Sequence, residues 1–134
     1  MKKRFFAALL AVVTVFMLLM LSGCDSYRSH YNAVAFAHTN TSKNASMSFS
    51  SFEGTMVFKL KCKSADEKIN YSAKLDSGSA KVYYDCGGTK TELFSVGSGD
   101  DISEIGGALQ KGTVYIIVEM SGKGQNGHFD FELK

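Results

Sequence analysis

Proline and tryptophan are missing from this 134-residue chain altogether, and cysteine and histidine number three each. Without proline, turns must be made by glycine or by short polar residues, and the chain has 13 glycines for that purpose. No C-x-x-C pair occurs, which excludes a thioredoxin-like redox motif and the common zinc-finger spacings. No G-x-S-x-G elbow occurs, so a hydrolase of that design is excluded as well. A sustained 3.6-residue hydrophobic period is also lacking, and with it any case for an amphipathic helix. Nor is there a real excess of positive charge. The 15 Lys and Arg outnumber the 13 Asp and Glu only because Lys2, Lys3 and Arg4 open the chain; beyond residue 23 there are 12 cations against 13 anions. A nucleic-acid binder needs a basic surface to displace counterions, and this composition does not supply one.

What is present begins with an address. Lys2, Lys3 and Arg4 precede an apolar run from Phe5 to Leu21 that only Thr14 interrupts, and the run ends in Leu21-Ser22-Gly23-Cys24. Charge, apolar stretch and small residues at a cut form the order of an export signal. A membrane-spanning helix is the competing reading, but a polar segment without a stop-transfer cluster of cations follows the run. Leu21-Ser22-Gly23-Cys24 resembles the lipobox of bacterial lipoproteins. That resemblance implies a diacylglycerol on the Cys24 sulfur and cleavage that leaves Cys24 as the new N-terminus. It places the protein on the outer face of the bacterial cytoplasmic membrane, held there by covalent lipid. Two acyl chains suffice for stable anchoring, at about 0.8 kcal/mol per buried CH2. Asp25 after the cysteine would imply inner-membrane retention in a two-membrane cell. The expected division is a signal peptide over 1–23, a polar tether over 24–46 rich in Ser, Thr and Asn, and a β-sandwich over 47–134.

Cys62 and Cys86 remain. An even pair in an exported chain predicts one disulfide, closing a loop of about 25 residues for roughly 3.5 kcal/mol. Two free buried thiols are the alternative.

From Gly54 onward the hydrophobic period is two. Met56, Phe58, Leu60 and Cys62 alternate with Lys59 and Lys61, and Ile69, Tyr71, Ala73 and Leu75 alternate with Lys68, Asn70, Ser72 and Lys74. Asp76-Ser77-Gly78-Ser79 predicts a turn into Val82, Tyr84 and Cys86, and Gly87-Gly88 a hairpin into 90–96. Asp101-x-x-Glu104 has capping-box spacing, predicting one short helical turn over 101–105. Val114 to Val118 is unbroken apolar, which predicts cover on both faces, and Phe129, Phe131 and Leu133 alternate to the end. Met47 and Phe49 suggest an earlier first strand. The expected fold is all-β, a single antiparallel β-sandwich of six to eight strands. Gly54-Thr55-Met56-Val57-Phe58, Gly78-Ser79-Ala80-Lys81-Val82 and Gly112-Thr113-Val114-Tyr115-Ile116-Ile117-Val118 with Gly127-His128-Phe129 resemble small jelly-roll-like domains of exported bacterial proteins. The resemblance implies a binding or spacing role.

Candidate sites are few. Gly122-Lys123-Gly124-Gln125-Asn126-Gly127 fits G-x-G-x-x-G, but no helix follows to hold a pyrophosphate, so Asn126-Gly127 is expected to be a hairpin turn. Asp100, Asp101 and Glu104 are a weak calcium candidate, three carboxylates where the ion takes six to eight oxygens. No other cofactor is expected. His30, His38 and His128 are scattered and nominate no catalytic group. Tyr83, Phe94 and Tyr115 are aromatic positions free to face outward, where rings can stack on a glycan or anchor a surface protein. The sequence therefore predicts a non-enzymatic, membrane-anchored binding or scaffold module. Two other readings stay open: a small envelope hydrolase, and a subunit of a larger membrane-bound assembly whose contact would use Tyr115 and Ile117.

Overall fold

A computed structural model of the chain describes residues 27–134. The expected signal segment 1–23 and Cys24, the expected lipidation site, lie outside the described residues. Seven strands account for most of the rest: β1 (His30–Val34), β2 (Ala37–Asn40), β3 (Asn44–Cys62), β4 (Ile69–Cys86), β5 (Lys90–Val96), β6 (Asp100–Gly106) and β7 (Gly112–Leu133). All pairings are antiparallel, in the order β1-β3-β7-β4-β5, with β2 also on β3 and β6 also on β4.

Three strands are unusually long, at 19, 18 and 22 residues for β3, β4 and β7, because each serves two layers. The first layer takes β2, the first half of β3, the second half of β7, the first half of β4, and β6. The second takes the other halves of β3, β7 and β4, with β5 at its edge. Rings from the two layers meet between them. Phe58 of β3 lies 6.1 Å from Phe131 of β7, and Tyr71 of β4 stacks at 4.4 Å on Phe94 of β5. The result is an all-β, jelly-roll-like sandwich, with the alternating residues Met56, Phe58, Leu60, Ile69, Ala73, Leu75, Phe129 and Phe131 buried between the layers.

The long strands bend where the pairing slips. The β3–β7 register jumps between Glu53 and Thr55, and the β4–β7 register between Ser77 and Ser79. Gly54 sits in the first bend at φ +115°, where a Cβ would stand 2.4 Å from the His30 carbonyl oxygen. Gly78 sits in the second at φ +98°, 2.9 Å from the Gly124 Cα on the same measure. Both need glycine for conformation and for space.

These bends correct two expectations. Asp76–Ser79 and Gly122–Gly127 are not hairpin turns. They lie inside β4 and β7, which run on through them, because a positive-φ residue serves a bulge as well as a hairpin. The helical turn over 101–105 is also absent: Asp100–Gly106 is β6, paired residue for residue with Ile69–Leu75. A single helical turn fixes several dihedrals for one hydrogen bond, whereas the open edge of β4 offers a ladder. Within the tether expected over 24–46, where the more apolar Tyr31–Ala37 fits a short helix or a strand docked on the domain, the chain forms strands: β1 and β2 pair along β3.

The disulfide is not formed; Cys62 and Cys86 are free. Both fall on the strands expected, yet β7 runs between them, with Cys62 beside Gly112 on one side and Cys86 beside Val114 on the other. Two strand spacings of about 4.8 Å put their backbones beyond the roughly 7 Å a disulfide spans. Each sulfur is engaged locally instead. Cys62 Sγ donates to the Ser64 carbonyl at 3.0 Å, and Cys86 Sγ donates to the Gln110 carbonyl and accepts from its N–H, both at 3.3 Å. Burial pushes the Cys62 thiol up, keeping it protonated.

Candidate ligand-binding face

Alternation that buries one side of each strand aims the other side outward, and register decides which outward residues become neighbours. On the outer face of the first layer, register lines up Thr39 of β2, Ser46 of β3, Asp130 of β7, Ser72 of β4 and Ser103 of β6 as one row across five strands. A second row beside it runs Asn44, Glu132, Asn70, Ile105. These two rows line an open groove of about 600 Å³, whose wall Glu104 completes.

The groove is polar and acidic. Thr39 Oγ1 and Ser46 Oγ share a hydrogen bond of 2.7 Å. Asp130 Oδ2 is hydrogen-bonded to Nε2 of His128, two residues back on the same strand face, and both side chains are about half exposed, at 49% and 53%. Glu132 lies 3.7 Å from the Lys134 ammonium. Glu104 accepts a hydrogen bond from the Tyr71 hydroxyl at 3.1 Å, and burial first, then this carboxylate, pushes the Tyr71 phenol up. No lysine or arginine is among the lining residues. Hydroxyls, amides and carboxylates in fixed rows suit a hydroxyl-bearing ligand, offering both donors and acceptors. Ile105, 67% exposed, adds one apolar contact at the edge.

The aromatic trio expected to form a ligand face is divided. Phe94 points inward, 9% exposed, because it pairs with the inward Val82 and stacks on Tyr71. Tyr83 and Tyr115 share the outer face of the second layer. Tyr83 lies under the Lys90 ammonium, 4.4 Å from its ring centroid, and Tyr115 lies under the Tyr27 ring at 5.2 Å. Ile117, expected in an exposed assembly patch, is buried on this same face, so Val114–Val118 is covered on both sides.

Nor do the calcium candidates converge. Asp100 and Glu104 alternate with Asp101 along β6, and Asp100 Oδ2 accepts from the Gly97 N–H at 2.7 Å. Among the described residues no group of three or more His, Cys, Asp or Glu is placed to hold a metal ion. His30 and His38 lie exposed on β1 and β2. The row residues Thr39, Ser46, Ser72, Ser103 and Asp130 escaped sequence reasoning; their one signal was polar alternation, which does not say who sits beside whom.

No protein-family model matches the chain, and no curated protein does. Among solved structures, the chain is similar to the TmCBM61 module determined with β-1,4-galactotriose, at a TM-score of 0.50 and 14% identity over 82% of this chain and 88% of that one. It is also similar to a carbohydrate-binding module of the CBM4 group, at 0.43 and 9% over 79% and 78%. A third is the Drosophila melanogaster CENP-C cupin domain, at 0.32 and 16% over 80% and 76%. At 14% identity the likeness to the first is one of fold alone.

Proposed function

We propose that the protein is an exported, lipid-anchored, non-enzymatic module that binds a carbohydrate chain in the groove of the first layer. The observation that carries this reading is the register-built row Thr39, Ser46, Asp130, Ser72 and Ser103, which presents hydroxyl and carboxylate groups at strand spacing across five strands. Strand spacing of about 4.8 Å is close to the length of a sugar ring, so successive hydroxyls of a chain meet successive side chains. The groove's volume suits a ligand of a few rings. Likeness in fold to a module solved with a galactotriose supports the ligand class and makes β-1,4-galactan the first probe. Export and anchoring at Cys24 rest on the leader sequence.

The test is affinity electrophoresis of the soluble domain through galactan, glucan and cell-wall polysaccharide gels. Residues 27–134 hold seven paired strands and a core cluster of their own, which makes this part the soluble domain to test. Retardation by at least one polysaccharide is expected, and Ser72→Arg, which fills the groove centre from a half-buried outward position, is expected to abolish it with the melting temperature unchanged. Free migration in every gel, or retardation indifferent to Ser72→Arg, overturns the proposal.

A further inference from the structure

The face opposite the groove carries a different feature. Tyr27 lies across the outer side of the second layer, its ring 5.2 Å from Tyr115 on β7 and its hydroxyl donating to Asp85 Oδ2 on β4 at 2.5 Å. Asp85 is only 5% exposed, and its other oxygen accepts from the Gly88 N–H at 2.8 Å. Two residues on, Ser29 Oγ accepts from the Val57 N–H of β3 at 2.8 Å. The chain that leads in from Cys24 is thus fastened to three strands at its first described residues. Only Asp25 and Ser26 lie between Cys24 and Tyr27, a reach of at most about 10 Å over three steps of the chain.

That distance is about one Debye length at 0.1 M salt, within which surface charges still act on one another. The exposed cations of this face are Lys59, Lys61, Lys81 and Lys90, with Arg28 beside Tyr27 in the chain. Its anions are Asp85, Glu92 and Glu119; with Lys90 and Glu119 paired at 2.7 Å and Asp85 covered by Tyr27, Lys59, Lys61, Lys81 and Arg28 stand against Glu92. The groove on the opposite face is lined by Glu104, Asp130 and Glu132 without a lysine or arginine. The rest of that face adds Asp101, Lys74 and Lys134, so anions outnumber cations on the side of the groove, as cations outnumber anions on the side where the anchor enters.

We infer that the outer face of the second layer is the membrane-apposed side of the anchored protein, seated on anionic lipid headgroups, so that the groove is directed away from the bilayer. The inference rests on the lipid at Cys24 proposed above. Tyr27 works as a fastener: by fixing the leader to β7 and β4, it leaves the lipid too short a lead for the domain to turn over.

Lysine acetylation read by mass spectrometry tests this on the mature lipidated protein in nanodiscs. Each lysine's rate is divided by its rate in the soluble domain, which cancels local pairing. In phosphatidylglycerol discs Lys59, Lys61, Lys81 and Lys90 are expected to slow several-fold, while Lys68 and Lys74 of the first layer keep ratios near one. Phosphatidylcholine discs are expected to weaken the protection, and Tyr27→Ala to erase the difference between faces. Intact mass separates the two ideas. An unmodified Cys24 overturns the anchor and the orientation together, whereas a lipidated Cys24 with equal ratios on both faces overturns the orientation alone.

Discussion

Removing one oxygen from Tyr27 tests whether the leader is part of the fold. Tyr27→Phe keeps the ring over Tyr115 and deletes the hydrogen bond to Asp85. A hydrogen bond to a charged acceptor contributes about 1.5–3 kcal/mol, and here the acceptor is a carboxylate almost sealed from water. Asp85 would keep only the Gly88 N–H, so one oxygen loses its partner in a site that hydrates poorly. At about 4 °C per kcal/mol for a domain of this size, the melting temperature should fall by about 6–12 °C. The chain has one escape, which is to peel the leader off and hydrate Asp85, and that sets the ceiling on the loss. Thermal melts of the soluble chain starting at Asp25 would measure it. The cycle with Asp85→Asn isolates the pair, with an expected coupling of about 1 kcal/mol or more. A Tyr27→Phe melt within about 1 °C of the parent, with additive singles, would refute the reasoning.

Two glycines of β7 separate rigid from yielding neighbours. A Cβ on Gly127 would stand 2.3 Å from Phe49 Cζ, and that ring is held between Phe52 at 5.3 Å and Phe129 at 6.3 Å. Gly127→Ala should therefore cost about 1–3 kcal/mol in urea denaturation, and Gly124→Ala, which presses on the pliable end of Met120 and reaches Leu75 Cδ1 only at an ordinary 3.4 Å, less than about 1 kcal/mol; equal costs contradict this. The Lys43 ammonium beside Glu67 holds that carboxyl below the usual carboxylate range. A depressed folded-state pKa means stability present above the unfolded value of about 4.3 and lost as pH falls through the folded one, so Lys43→Met should lower stability at neutral pH, leave it unchanged at the acid end, and flatten the stability–pH slope between.

Much of the strand content was legible because half-buried strands imprint a period of two. Met56 to Cys62, Ile69 to Leu75 and Phe129 to Leu133 are each buried on one side and open on the other, and their sequences say so. β1 and β2 left no such imprint. They are mostly exposed and exist because β3 offers a backbone edge, a cause located elsewhere in the chain. Gly78 and Gly122–Gly127 misled for a different reason: glycine announces a positive φ but not whether the chain reverses there or only bends. Cys62 and Cys86 share that ambiguity in another form, since their inward parity was right and only the intervening β7 keeps them apart.

The groove was the least legible part, and the cause is topological. Thr39 and Ser46 are close in sequence, but Ser72, Ser103 and Asp130 come from three further strands, and only strand order and register put them in one line. Outward residues carry little packing cost, so composition there is free to follow function while the inward half maintains the fold. A slip of one residue in the β4–β7 register would turn Ser72 inward and Tyr71 outward, destroying core and groove together. The bulges beside Gly54 and Gly78 place their register shifts at the bends, between the paired segments that form the two layers. The outward row thus depends on residues that never approach it, and glycines at the bends are as much a condition of the groove as the serines that line it.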